Sequence, residues 1–303
     1  MNYWAGKALQ AKLYLNAEVY SGTAAWAQAA AAADEIINSG LYSLEGNYFD
    51  NFSTENSGSN ESIFVIPYDR ANAQGFNLVQ MTLHYGSQGT FDLQEQPWNG
   101  YCTLTDFYNS YEAEDIRRDG PPARGYGNFI SGQQFNSDGT PVLDGIAEDP
   151  DGETLIFTPE INEHFPGAYR QAGARFGKYE FTNGAARHLD NDYPILRYAD
   201  MILVKAEALW RQIPGDAEAL ALVNQIRSRA GASQLGALTA EDLLAERGRE
   251  FVYEYWRRQD LIRFDAFGNE WQFKPTSGAA KILMPIPAAQ LQANPNLRQN
   301  PGY

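Results

Sequence analysis

Glu250 and Glu254 stand four residues apart in a stretch that also carries Glu246, Arg247, Arg257, Arg258, Asp260 and Arg263. Two carboxylates one helical turn apart have the makings of glycoside hydrolysis, one as acid and the other as nucleophile or base. The arginines argue the other way. At helical spacing they offer direct ion-pair partners, which keep carboxylates ionised instead of raising a pKa. The stretch is therefore expected to be scaffold, and no catalytic residue is assigned. The acidic run 144–153, DGIAEDPDGE, gathers oxygen donors around a glycine as calcium sites do, but it lacks the EF-hand spacing and Pro150 interrupts it. An exposed acidic turn is expected. His84, His164 and His188 are far apart with no HExxH arrangement, and Cys102 is the single cysteine, so neither a zinc site nor an intrachain disulfide is indicated. GxxxxGK[ST], a dinucleotide-type GxGxxG and a GxSxG elbow are missing too. No metal and no cofactor is expected.

The balance of charge narrows the partners. With 38 acidic against 23 basic residues the net charge is −15. Nucleic-acid affinity comes mainly from Lys and Arg displacing counterions, so a nucleic-acid partner is not expected. An anionic membrane surface is equally ill matched. No apolar run approaches 18 residues, so no span is predicted, and the first 20 residues read as the inside of a helix, not as a signal peptide.

The elements that would position chemistry fall into three stretches of the 303 residues, 44% of which are hydrophobic. Residues 3–40 are Ala-rich and read as two antiparallel helices, with Leu9, Leu13 and Tyr14 at helical spacing, a break at Tyr20-Ser21-Gly22-Thr23 and a stop at Gly40. Residues 194–303 open with a second pair around a Pro214-Gly215-Asp216 turn. Ile202, Leu203, Ala206, Leu209 and Trp210 form one apolar stripe, and Leu220, Val223 and Ile226 face inward. Lys7–Gly40 and Tyr198–Gly231 each cover 34 positions, the length of a tetratricopeptide unit, though their sequences support only helical hairpins of that size. A third helical stretch follows from Thr239, whose spacing to Asp242 makes a capping box. In it Leu244, Phe251 and Tyr255 are expected on one face, and Glu254 paired with Arg257 or Arg258 on the other. Between the pairs, residues 41–193 are irregular and aromatic. Residues 62–66 read as a strand, and residues 128–143 as a β-hairpin turning at Asp138-Gly139. A long irregular segment between helical hairpins is where function is expected.

Several motifs now agree in order. YPILRYADMILVKAEAL (193–209) and AERGREFVYEYWRRQDLIRF (245–264) resemble the SusD/RagB family, as does the ending ILMPIPAAQLQANPNLRQNPGY (282–303). ESIFVIPYD (61–69) and PWNGYCTLTDFYNSYEAEDIRRDG (97–120) are similar as well. The resemblance runs through almost the whole chain, which is expected to form one SusD/RagB-like domain, 1–303. It implies a mainly α fold: tetratricopeptide-like helical hairpins on one side, and opposite them a long irregular ligand-facing segment with minor β-hairpins. It also implies a non-catalytic lipoprotein at the extracellular face of the outer membrane. Such a protein captures glycan for import through a TonB-dependent SusC-like transporter. The family's signal peptide, lipid anchor and first helical repeats have no counterpart here, so the chain is expected to correspond to the larger C-terminal part. Some relatives take peptides instead, and that alternative stays open beside the paired-carboxylate glycosidase.

Glycan capture needs flat apolar faces for the C–H side of a pyranose and fixed partners for its hydroxyls. The chain has 6 Trp, 18 Tyr and 16 Phe. Trp98, Asn99 and Tyr101 stand together in the irregular segment, with Tyr85 upstream and Tyr126 downstream. They are the expected ligand-binding residues, with Arg124 and Asn128 as hydroxyl partners. For Trp98, packing in a structural turn and stacking on ligand both remain open. Phe91 and Phe129 lack a polar tip and are expected in the core.

Overall fold

The structure is a computed structural model and describes residues 2–144, 152–164 and 167–303. Helix α1 (Tyr3–Leu15) begins where the Asn2 side chain accepts from the Ala5 N–H at 2.9 Å. The short α2 (Ala17–Ser21) ends on Gly22, whose φ of +73° closes the helix in the left-handed region that glycine enters without strain. Helix α3 (Trp26–Ile37) then packs back on α1. The buried contact is made by Ala5, Ala8, Ala11, Ala29, Ala33 and Ile36. Small side chains allow close approach, and the larger Leu9 and Leu13 stand exposed on the other side of α1.

The chain then leaves the helices for residues 41–193 and returns where it left. Strand β1 (Ser62–Ile66) is the predicted one. It pairs antiparallel with the strand that closes the segment, so both ends of the excursion are tied into one ribbon. Between them lie four one-turn helices, α4 (Leu78–Thr82), α5 (Ser87–Thr90), α6 (Thr105–Tyr108) and α7 (Ile116–Asp119), and four two-residue strands. These are β2 (Phe129–Ile130), β3 (Gly132–Gln133), β4 (Ile156–Phe157) and β5 (Arg175–Phe176); the closing strand is β6 (Tyr193–Arg197). With so little regular structure, order comes from an aromatic core in which Tyr48, Phe52, Phe76, Phe157, Tyr179 and Phe181 are buried. The predicted hairpin at 128–143 is corrected. Its turn exists, with Asn136 N–H donating to Thr140 O at 2.7 Å and Phe135 bridging Pro141. Its strands look elsewhere: β2 pairs with β5 and β3 with β4.

Helix α8 (Tyr198–Gln212) follows β6 directly and packs on α3, and α9 (Ala217–Arg229) folds back on α8 after the expected turn. Asp216 caps α9, accepting from Ala219 N–H at 2.8 Å. Helix α10 (Ala240–Glu250) carries the capping box in full, Thr239 and Asp242 each accepting the other's backbone N–H. It stops at Glu250, so Phe251 and Tyr255 do not share its face. A corner, Phe251 to Trp256, separates it from α11 (Arg257–Arg263), and α12 (Ala288–Ala293) lies near the end. The class is mainly helical, with twelve α-helices among the described residues. No described helix is long and apolar enough to cross a membrane.

Candidate ligand-binding surface

The stretch 96–101 runs along the surface, pinned to α4 and the residue after it. Trp98 N–H donates to Gln80 O (2.9 Å), Asn99 N–H to Leu83 O (2.9 Å) and Gly100 N–H to Met81 O (2.7 Å). Asn99 has a φ of +51°, a conformation Asn tolerates better than most residues. Its side chain locks the turn, Oδ1 accepting from Arg175 Nη2 at 2.8 Å and Nδ2 donating to Arg170 O at 3.3 Å. A Cβ at Gly100 would lie 2.8 Å from Met81 O, so only glycine fits there. Trp98 therefore sits in a structural turn and is also presented by it, 42% exposed.

Two cavities flank this stretch. At one end Gln96 lines a shallow polar depression of about 800 Å³, together with Tyr85, Gln88, Asp92 and Asn136. At the other end Tyr101 lines a deeper aromatic cavity of about 780 Å³, with Phe107, Phe176, Tyr253, Tyr255 and Trp271. Four residues separate Gln96 from Tyr101, so the two are at most about 17 Å apart along extended backbone. Tyr253 Oη donates to Leu78 O at 2.7 Å and lies 2.9 Å from Tyr101 Oη, which also meets Met81 Sδ at 3.2 Å; these contacts fix the Tyr101 ring. Burial, and then the Tyr101 hydroxyl, push the Tyr253 phenol far above its ordinary pKa.

The structure divides the expected binding residues. Trp98 and Tyr101 are exposed, Tyr85 is half-buried on the rim of the polar depression, and Asn99 serves the turn. Asn128 is buried, and Tyr126 and Arg124 are half-buried and engaged with the protein itself. Tyr126 stacks on Phe181 with ring centroids 5.6 Å apart. Arg124 spends its guanidinium on four backbone carbonyls, those of Tyr126, Gly127, Gly177 and Lys178, at 2.8 to 3.1 Å. It lies between the rings of Phe49 and Tyr126 at 4.2 and 4.4 Å. Asn128 is fully buried and faces the Tyr111 hydroxyl. Phe129 is buried as expected, and Phe91 is half-buried, packed edge-on to Phe181.

The carboxylates of α10 and the corner are buried and ion-paired. Glu250 accepts from Arg117 Nη1 at 3.0 Å and from Arg229, and lies 2.9 Å from Arg197 Nη1. Glu254 pairs with Lys178 and Arg197, not with Arg257 or Arg258 as its spacing suggested. Arg257 Nη1 instead donates to Leu244 O, and Arg258 Nη2 to Ile282 O. Burial alone would raise Glu250, but Arg229, Arg197 and Arg117 outweigh it and hold the carboxyl well below the usual range. In the same way Arg117 and Arg249 overcome burial at Glu246 and hold it at about 2. A hydrolytic acid needs the opposite shift and access to substrate, so this pair is scaffold. Residues 145–151 of the acidic turn lie outside the described residues, and among those described no group of three or more His, Cys, Asp or Glu could hold a metal.

The sequence profile of the SusD family matches residues 60–303. The chain belongs to the SusD family. It is 26% identical to the starch-binding protein SusD of Bacteroides thetaiotaomicron over 332 aligned positions, which cover 97% of this chain and 59% of that protein. SusD-like protein P2 of Formosa agariphila is also 26% identical, over 85% of this chain and 51% of its own length. The chain thus spans between half and two thirds of these relatives. Among solved structures, a SusD superfamily protein from Parabacteroides distasonis superposes with a TM-score of 0.75 at 21% identity, covering 100% of this chain and 63% of that one. The surface glycan-binding protein A of Bacteroides thetaiotaomicron, solved with laminarihexaose, gives 0.70 at 24% identity, covering 99% and 64%. These structures share the fold.

On the SusD-family scaffold, the aromatic cavity was only partly foreseen. Helical spacing puts Tyr255 on a helix that ends before it, and Phe176 and Trp271 carry no sequence signal. One was available: Phe251 to Trp256 reads FVYEYW, five aromatic or β-branched residues in six, which is poor helix material.

Proposed function

We propose that this chain is the glycan-binding portion of a non-catalytic capture protein on the extracellular face of the outer membrane. Aromatic faces hold the ligand and hand it intact to a TonB-dependent SusC-like transporter. The observation that carries the reading is the exposed Trp98–Tyr101 stretch, locked by backbone hydrogen bonds between two cavities. A ring offered to solvent from a rigid turn costs little ordering when a sugar stacks on it. The relatives point the same way: one is a starch-binding protein, and one structural neighbour was solved with laminarihexaose.

The test is affinity electrophoresis in gels cast with starch, laminarin, xylan, mannan or pectin, run beside Trp98→Ala. One polysaccharide should retard the chain without yielding new reducing ends. Trp98→Ala should weaken that binding about tenfold, the equivalent of about 1.4 kcal/mol, with the melting temperature unchanged. Retardation by none of the five overturns the reading. Co-purification from outer membranes with a TonB-dependent transporter tests the handover, and its absence counts against that step.

A further inference from the structure

Two tyrosines flanking Glu254 at the corner between α10 and α11 are held in a conformation that tyrosine avoids. Tyr253 and Tyr255 have φ of +62° and +63°. The left-handed region crowds Cβ against the carbonyl, and bulky residues stay there only when the surroundings impose it. What imposes it is Glu254 between them. Its carboxylate is drawn inward to Lys178 Nζ (2.5 Å) and to Arg197 Nε and Nη2 (2.9 Å each). Its two neighbours are thereby turned toward the aromatic cavity.

The fold recovers more of the cost at one tyrosine than at the other. Tyr253 stacks on Phe176 with centroids 4.5 Å apart and planes 15° from parallel, and its hydroxyl joins Leu78 to Tyr101. Tyr255 stays 67% exposed. Its hydroxyl hydrogen-bonds that of Tyr101, while its ring meets Tyr253 and Tyr193 only loosely, at 6.2 and 6.3 Å, and leaves a face to solvent. Glycine would take this backbone without strain. An exposed aromatic ring in a conformation that suits glycine, at the mouth of a cavity walled by Tyr101, Phe107, Phe176 and Trp271, is an arrangement that packing does not account for. Strain of this kind gathers at ligand clamps.

We propose that this cavity is a subsite for a pyranose ring and that Tyr255 is its stacking platform. The proposal rests on the glycan reading and extends it to a site with its own residues. The C–H face of the sugar lies on Tyr255, and the exposed Asp106 and Ser110 on the rim receive hydroxyls. At about 780 Å³ the cavity is on the scale of small-molecule sites.

The experiment uses the full chain, the same five polysaccharide gels, and the variants Tyr255→Gly, Tyr255→Phe and Trp98→Ala. Tyr255→Gly should lose retardation at least tenfold while its melting temperature holds or rises, because the strain is released. Tyr255→Phe should keep retardation, since the ring face is what binds. A lowered melting temperature in Tyr255→Gly marks the ring as structural and overturns the proposal. Retardation kept in Tyr255→Gly but lost in Trp98→Ala overturns the subsite alone and leaves glycan capture standing. Retardation of the unmodified chain by no polysaccharide overturns both.

Discussion

Replacing Glu250 by Gln separates scaffold from chemistry, because the two roles predict different losses. The Glu250 carboxylate is fully buried and touches the guanidiniums of Arg117, Arg197 and Arg229. Removing one partner of a buried ion pair costs about 3–5 kcal/mol, since a charge is left uncompensated. Each arginine here keeps another carboxylate: Asp115 and Glu246 for Arg117, Glu61 and Glu254 for Arg197, Glu61 for Arg229. The loss should therefore fall toward the lower end of that range. An unfolding entropy of roughly 2.1 cal/mol/K per residue, taken over 303 residues, amounts to about 0.6 kcal/mol per degree. The melting temperature at pH 7 should drop by about 5–6 °C in scanning calorimetry. Polysaccharide retardation at 20 °C, where the variant is folded, should be unchanged. Glu35→Gln is the control, because Glu35 pairs with Lys7 and Tyr3 at the surface and should leave the melting temperature where it was. A drop below about 1 °C in Glu250→Gln would refute the claim that the network holds the core together. Lost retardation at an unchanged melting temperature would refute the scaffold assignment itself.

Stability should fall with acid in two steps. Burial, then Arg175 and Arg170, hold His84 at about 4, below its ordinary 6.5. The fold keeps this imidazole neutral, so that contribution is complete above pH 6.5 and is lost as pH falls toward 4. Glu246 and Asp260, both held at about 2 by arginines that outweigh burial, contribute fully above their ordinary 4.5 and 3.8 and lose that contribution as pH falls toward 2. Melting temperatures measured from pH 8 to 3 should show both steps, and His84→Gln should remove the upper one; a flat profile between 6.5 and 4 would contradict the assignment. Arg124→Met should cost roughly 2–4 kcal/mol by leaving buried carbonyls without a donor, yet leave retardation intact at 20 °C. Equal loss of retardation in folded protein would return Arg124 to the ligand site.

What could be read from the chain was local, and what could not was imposed from a distance. Strand β1 was legible because Ser-Ile-Phe-Val-Ile is a short β-prone run, and the start of α10 because Thr239 and Asp242 need only each other. The turn at Trp98-Asn99-Gly100 was suggested by the resemblance, while the residues that hold it, Gln80, Met81, Leu83 and Arg175, stand well apart in the chain. The corner after α10 was not legible. Residues 251–256 are poor helix material, but what directs the corner is the capture of Glu254 by Lys178 and Arg197, 76 and 57 positions away. The same distance explains Arg124, whose carbonyl partners at Gly177 and Lys178 lie 53 and 54 positions on. The acidic residues of α10 were rightly assigned to scaffold for a reason that was only half right. Arginine abundance did keep them ionised, but Glu250 takes its arginines from α7, β6 and α9 instead of from α11. A network drawn from four elements orients the corner as a unit, and the corner carries Tyr253 and Tyr255 into the aromatic cavity. The charges that resembled a catalytic pair thus shape the candidate site indirectly, by deciding which rings face it.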